Sequence, residues 1–223
     1  MNKIIGYLKE NKRRIVMSFV GVIIVGMSVG FIKTGAMGVD PFTSLVTGLD
    51  ALIPLDYGIV YIIINVAMLT FSLLTDKHYI GLATFINLFF LGYITQFTLG
   101  ILGMFIQEPS MVVRVICLVF GIFILCLGCS MYITADLGVS TYDAISIVMA
   151  NKWKLGKFKY MRICTDVACV ICGCILYVIA GNTIGSLTAM VGIGTIITAF
   201  FMGPLIEFFN DNVSSKMLGE KKA

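Results

Sequence analysis

Asp166 lies in the apolar run "ICTDVACVICGC", with Arg162 one helical turn before it. A carboxylate held inside a membrane costs roughly 2.5–3.5 kcal/mol on insertion scales, so it needs a partner or a task. Two readings stand side by side. As a group lining a solute or ion path, Asp166 would act with Asn65, which falls at the matching place when the two host segments are aligned. As half of an i,i+4 ion pair with Arg162, it is structural. Two polar islands interrupt the chain in the same manner, "GVDPFTSL" at 38–45 and "GVSTYDAI" at 138–145. Asp40 before Pro41 reads as a helix N-cap with proline at the first helical position. Ser140 followed by Asp143 reads as a capping-box-like pair. These three side chains either cap short helices or contribute to a site beside the helix starts, where free backbone N–H groups face outward. Thr84 and Thr195 either bond back to their own helices or face a pore.

Other chemistry is poorly supported. "CLGC" at 126–129 and "CVIC" at 169–172 have the spacing of metal or redox pairs. All seven cysteines lie between Cys117 and Cys174 with apolar flanks, which favours inert buried thiols over a soft-metal carrier. The single histidine, His78, falls in a short polar turn. No Ser/His/Asp set, phosphate loop or metal-ligand pattern is present, so neither an enzyme nor a bound cofactor is expected.

The elements that must position these residues are membrane helices. The 223 residues are 59% hydrophobic and 13% charged, with a mean hydropathy of +1.00. Soluble domains carry about 25% charged residues. Crossing the hydrocarbon takes roughly 20 apolar helical residues. The pattern predicts an all-α polytopic membrane protein with six spans: Ile15–Lys33, Tyr57–Leu74, Tyr79–Phe105, Val115–Thr134, Phe158–Ala180 and Gly185–Phe208. The first run is too long for a signal peptide, and no small-residue cleavage site follows it. With the N-terminus inside, 14 of the 16 basic residues fall on the cytoplasmic side; Lys33 and Arg114 are the exceptions. This asymmetry places both termini in the cytoplasm of a bacterial cell and requires no nucleic-acid partner.

The halves repeat each other. "TGAMGVDPFTS" (34–44) aligns with "TADLGVSTYDA" (134–144), and "GLATFINLFFLGYITQF" (81–97) with "GIGTIITAFFMGPLIEF" (192–208). Each half holds three spans, an odd number, so the second copy is inverted, an arrangement found in transporters. The expected layout is a cytoplasmic N-terminus (1–14), repeat 1 (15–105), inverted repeat 2 (115–208) and a polar, disordered cytoplasmic tail (211–223). Each island opens a short helix, Pro41–Ile53 and Thr141–Met149, too short to cross and therefore interfacial or re-entrant. In the first, Phe42, Leu45, Val46, Leu49, Leu52 and Ile53 form the apolar face. Gly26 and Gly30 form G-x-x-x-G, which suits close helix packing or a homo-oligomer.

The G-x-x-P-aromatic island after the first span, with the later G-x-G-T block ending in glycine, resembles the YczE/YyaS/YitT group of bacterial integral membrane proteins, the YczE side most closely. Where that group often has Pro-Trp-Asp, this chain has Pro41-Phe42-Thr43 and Thr141-Tyr142-Asp143. The resemblance implies a multi-span inner-membrane protein and no particular substrate. Taken together, the residues predict a transporter of a small solute or ion, with its site where the repeats meet. The alternative is a non-transporting scaffold or accessory component of another membrane or biosynthetic system.

Overall fold

In the computed structural model, residues 11–55 and 57–219 are described. Most of the basic N-terminal segment, including Lys3 and Lys9, lies outside them, as do Lys221 and Lys222. The described residues are helical throughout, with no strand. Eight helices carry the fold: α1 (Lys12–Gly35), α2 (Pro41–Leu52), α3 (Tyr57–Thr75), α4 (Leu82–Phe105), α5 (Met111–Ala135), α6 (Thr141–Ile147), α7 (Phe158–Ile179) and α8 (Ile193–Phe209).

Five of these are long and apolar enough to cross a membrane: α1, α4, α5, α7 and α8 with its extension to Leu218. The expected second span, α3, is a shorter apolar helix. Two other expected boundaries move. The third span begins at Leu82, after a 3-10 turn at Lys77–Tyr79, because Gly81 breaks the helix. The sixth begins at Ile193, after two short turns at Ile184–Ser186 and Leu187–Met190. The tail expected to be disordered continues as a π-turn at Asn210–Ser214 and a last helical turn at Ser215–Leu218. Ser214 is buried there, and its hydroxyl lies 2.6 Å from that of Ser130.

Small residues set the helix crossings. A Cβ on Gly21 would lie 2.8 Å from the Gly128 carbonyl, and one on Gly128 would lie 2.8 Å from the Gly21 carbonyl. Gly35 meets Arg114 in the same seam, so α1 and α5 run antiparallel. Gly26 meets Ile94 and Gly30 meets Thr98, each at 2.7 Å from the added Cβ, so α1 and α4 run parallel. The G-x-x-x-G face therefore packs within the chain, against α4. Gly92 borders open space.

The islands dock on the helix starts of the opposite half. Gly38 (φ +108°) and Gly138 (φ +100°) take a left-handed conformation that side chains disfavour. Thr195 Oγ1 donates to the Val39 carbonyl at 2.6 Å, and Thr84 Oγ1 to the Val139 carbonyl at 2.7 Å. The Gly194 N–H reaches the Met37 carbonyl at 2.8 Å, and the Ala83 N–H the Leu137 carbonyl at 3.1 Å. Backbone groups that leave the helix ladder are thereby paired, as burial demands.

The short helix α2 docks on two faces: Phe42, Val46 and Leu49 of its expected apolar face pack with Val60 and Ile64 of α3. Ser44, Val46 and Gly48 are buried, and Gly48 and Gly173 touch backbone to backbone along α7. Against α7, small size lets the backbones touch.

Candidate functional site

Asp143 and Asp166 converge on one guanidinium. Arg162 sits in the second turn of α7 and Asp166 one turn later, so both project from the same face. Arg162 Nε donates to Asp166 Oδ2 at 3.2 Å, and Nη1 donates to Asp143 Oδ1. Tyr142 brings its hydroxyl to Asp166 Oδ1 at 2.5 Å, while its ring lies 4.4 Å beneath the guanidinium carbon. Asp143 Oδ2 accepts from Tyr132 Oη and, at 2.6 Å, from Ser140 Oγ. All three charged residues are buried; Asp166 is fully enclosed and Arg162 is 5% exposed. The i,i+4 pair expected from the sequence is thus half of a larger cluster. A lone snorkelling Arg162 does not occur. Arg162 Nη2 donates to no group among the described residues.

The two islands build this site from exchanged parts. In the first, Asp40 caps α2: Oδ1 accepts the Thr43 N–H at 3.0 Å, and Thr43 Oγ1 donates to Oδ2 at 2.6 Å. In the second, the hydroxyl and the acid trade places. Ser140 Oγ accepts the Asp143 N–H at 3.0 Å and donates to the Asp143 carboxylate. Phe42 packs on Tyr61 with ring centroids 5.7 Å apart, as Tyr142 packs on Arg162. Phe42 and Tyr142 themselves approach to 5.3 Å, so the first turns of α2 and α6 meet. At these two matched positions the charge lies in the second half, where Arg162 and Asp166 stand against Tyr61 and Asn65.

Asn65 does not touch Asp166. Its Oδ1 accepts from Thr141 Oγ1 at 2.9 Å, and its Nδ2 donates to the Tyr61 carbonyl at 2.9 Å. The pair nevertheless grips consecutive residues of α6, Asn65 holding Thr141 and Asp166 holding Tyr142.

A cavity of about 530 Å³ lies beside the cluster. Asp40, Asn65, Thr84, Ser140 and Asp143 line it, together with Arg162, Tyr132 and Tyr142. Of the remaining expected residues, Asp166 stands behind Arg162 and Tyr142, and Thr195 is committed to the docking of the first island. Helix α4 supplies Asn87, which lines the cavity at 9% exposure and has no hydrogen-bond partner among the described residues. Tyr132, Tyr142 and Asn87 were not singled out by sequence reasoning. Aligning the halves offered one signal, an acid at 143 opposite Thr43 with a cation at 162 opposite Tyr61. Asn87 lies in an ordinary apolar helix, and only the cavity distinguishes it.

The cysteines are free, with Cys126 and Cys129 buried and Cys164 and Cys172 exposed. No group of three or more His, Cys, Asp or Glu side chains could hold a metal among the described residues. His78 lies apart, 2.9 Å from Asp136 and largely exposed.

Five helices long and apolar enough to cross a membrane, with a buried charge cluster among them, suggest a helical membrane protein. The chain belongs to DUF6198, a family of unknown function, which matches residues 12–211. It is also similar to an "Uncharacterized protein" of Haemophilus influenzae, 25% identical over 187 residues, covering 83% of this chain and 78% of that one. No solved structure matches.

Proposed function

We propose that the protein is a bacterial inner-membrane transporter of a small solute, built from two inverted three-span repeats with both termini in the cytoplasm. On this reading α3 also crosses the membrane, as the second of six spans, and α2 and α6 are re-entrant helices whose first turns meet inside the membrane. The kinship to YczE-type proteins belongs to the same reading. The observation that carries it is the 530 Å³ cavity bounded by both islands, with a buried charge cluster in its wall. The reciprocal Thr84–Val139 and Thr195–Val39 bonds and the antiparallel α1–α5 pair support the inversion. Transporters of this architecture bind solute at the repeat interface and rock one repeat against the other.

A ligand that binds the folded state stabilises it. A thermal-shift screen of the purified protein against metabolites and ions, followed by uptake into proteoliposomes, tests the reading. At least one stabilising solute should accumulate in protein-dependent fashion. Binding partners without any solute flux would contradict it.

A further inference from the structure

Asp143 and Arg162 stand in the wall of the cavity with Asp166 behind them, and two carboxylates against one guanidinium leave the cluster one negative charge more than it can cancel. The groups around Asp143 supply no second cation. From α7 come Arg162, Asp166 and Cys169; from α5 come Tyr132, Cys129 and Cys126; from α6 comes Tyr142. Lys33 and Asp40 also line the cavity, one charge of each sign, and so add no net charge to it. A surplus charge enclosed in protein within hydrocarbon is costly, and a bound cation or proton relieves it.

The cavity has a second feature that points to a ligand. Asn87 is nine-tenths buried, lines the cavity and has no protein partner. An amide that faces a cavity without a protein partner is left to water or a ligand. Phe42, Tyr61, Phe89 and Tyr93 supply aromatic lining, and aromatic faces attract cations and pack apolar bodies.

Building on the transporter reading, we infer that the cavity takes a monovalent organic cation with a small apolar body, and that the cation and a single proton on the Asp143–Arg162–Asp166 cluster exclude each other. One cation enters as one proton leaves, which keeps the charge of the buried cluster constant. An anion meets the opposite sign. One uncancelled charge about 6 Å away, at an effective dielectric near 20, changes affinity roughly a hundredfold.

The test is calorimetric titration of the purified full-length protein with benzyltrimethylammonium, phenylacetate and benzyl alcohol. Runs between pH 5 and 9, in buffers of different ionisation heat, give the proton count. With the cluster deprotonated, benzyltrimethylammonium should bind about a hundredfold more tightly than benzyl alcohol and about ten-thousandfold more tightly than phenylacetate. It should release one proton, and its affinity should rise with pH by up to about tenfold per unit. Asp143→Asn should abolish the proton release and weaken cation binding about a hundredfold. Should that variant fail to fold, Asn87→Leu, outside the charge cluster, should weaken the cation about tenfold while the proton release persists. Equal or tighter binding of phenylacetate or benzyl alcohol overturns the inference. So does cation binding that ignores pH, or an Asn87→Leu variant with unchanged affinity. Uptake of benzyltrimethylammonium into proteoliposomes separates the two claims. Binding without uptake contradicts transport and leaves the cation site standing; uptake of phenylacetate in place of the cation contradicts the cation site and leaves transport standing.

Discussion

Arg162 holds the site together because each of its two carboxylate partners is buried. Removing one partner of a buried ion pair strands the other, at roughly 3–5 kcal/mol. Arg162→Met should therefore destabilise the protein by about that amount in a reversible unfolding assay. Replacing all three charges together, with Asp143→Asn and Asp166→Asn, should recover most of the loss, because no unpaired charge remains. A triple variant as unstable as the single one would show that the cluster is not the source of the effect. The caps give a finer comparison. Asp40→Ala should cost about 1 kcal/mol through lost capping. Ser140→Ala should cost more, up to about 2 kcal/mol, since Ser140 also donates to the buried Asp143 carboxylate. Equal losses would mean that this second bond contributes nothing. Much of this scale was legible beforehand. Asp166 and Arg162 announce a pair by spacing alone. The link to Asp143 was not legible, because it joins residues on separate helices and depends on how α6 meets α7.

At the scale of elements, the fold rests on two threonine latches. Thr84 and Thr195 each open a helix, bond the preceding glycine N–H at 3.2 Å, and hold the opposite island. Thr84→Val and Thr195→Val should each cost about 1–3 kcal/mol, since the buried Val139 carbonyl and the part-buried Val39 carbonyl lose their donors. Similar losses from both variants are the expected signature of equivalent roles; a neutral Thr195→Val would break the equivalence. The sequence aligned these threonines but left open whether they faced a pore. The second face of α2, against α7, was missed for a physical reason. Helical periodicity reports where apolar side chains cluster, whereas α2 docks through Ser44 and Gly48, whose value is that they let backbones touch. The helix breaks at Gly81 and Gly192 were similarly hidden inside long apolar runs, which hydropathy reads as continuous.

At the scale of the whole molecule, the proposal is a bundle whose halves face opposite ways across a shared cavity. Cysteines placed at 155 and 181 on a cysteine-free background should react with an impermeant thiol reagent from opposite sides of the membrane, 155 from the cytoplasm. Labelling of both from one side would remove the inversion. A transport site makes a stronger demand, since its cavity must open to each side in turn. Asn87→Cys on the same background measures this directly, in sealed vesicles of both orientations. The proposal predicts that the impermeant reagent reaches position 87 from either side, and that a bound solute shifts reactivity from one side to the other. Reaction from one side alone, unchanged by every solute that stabilises the protein, would contradict it.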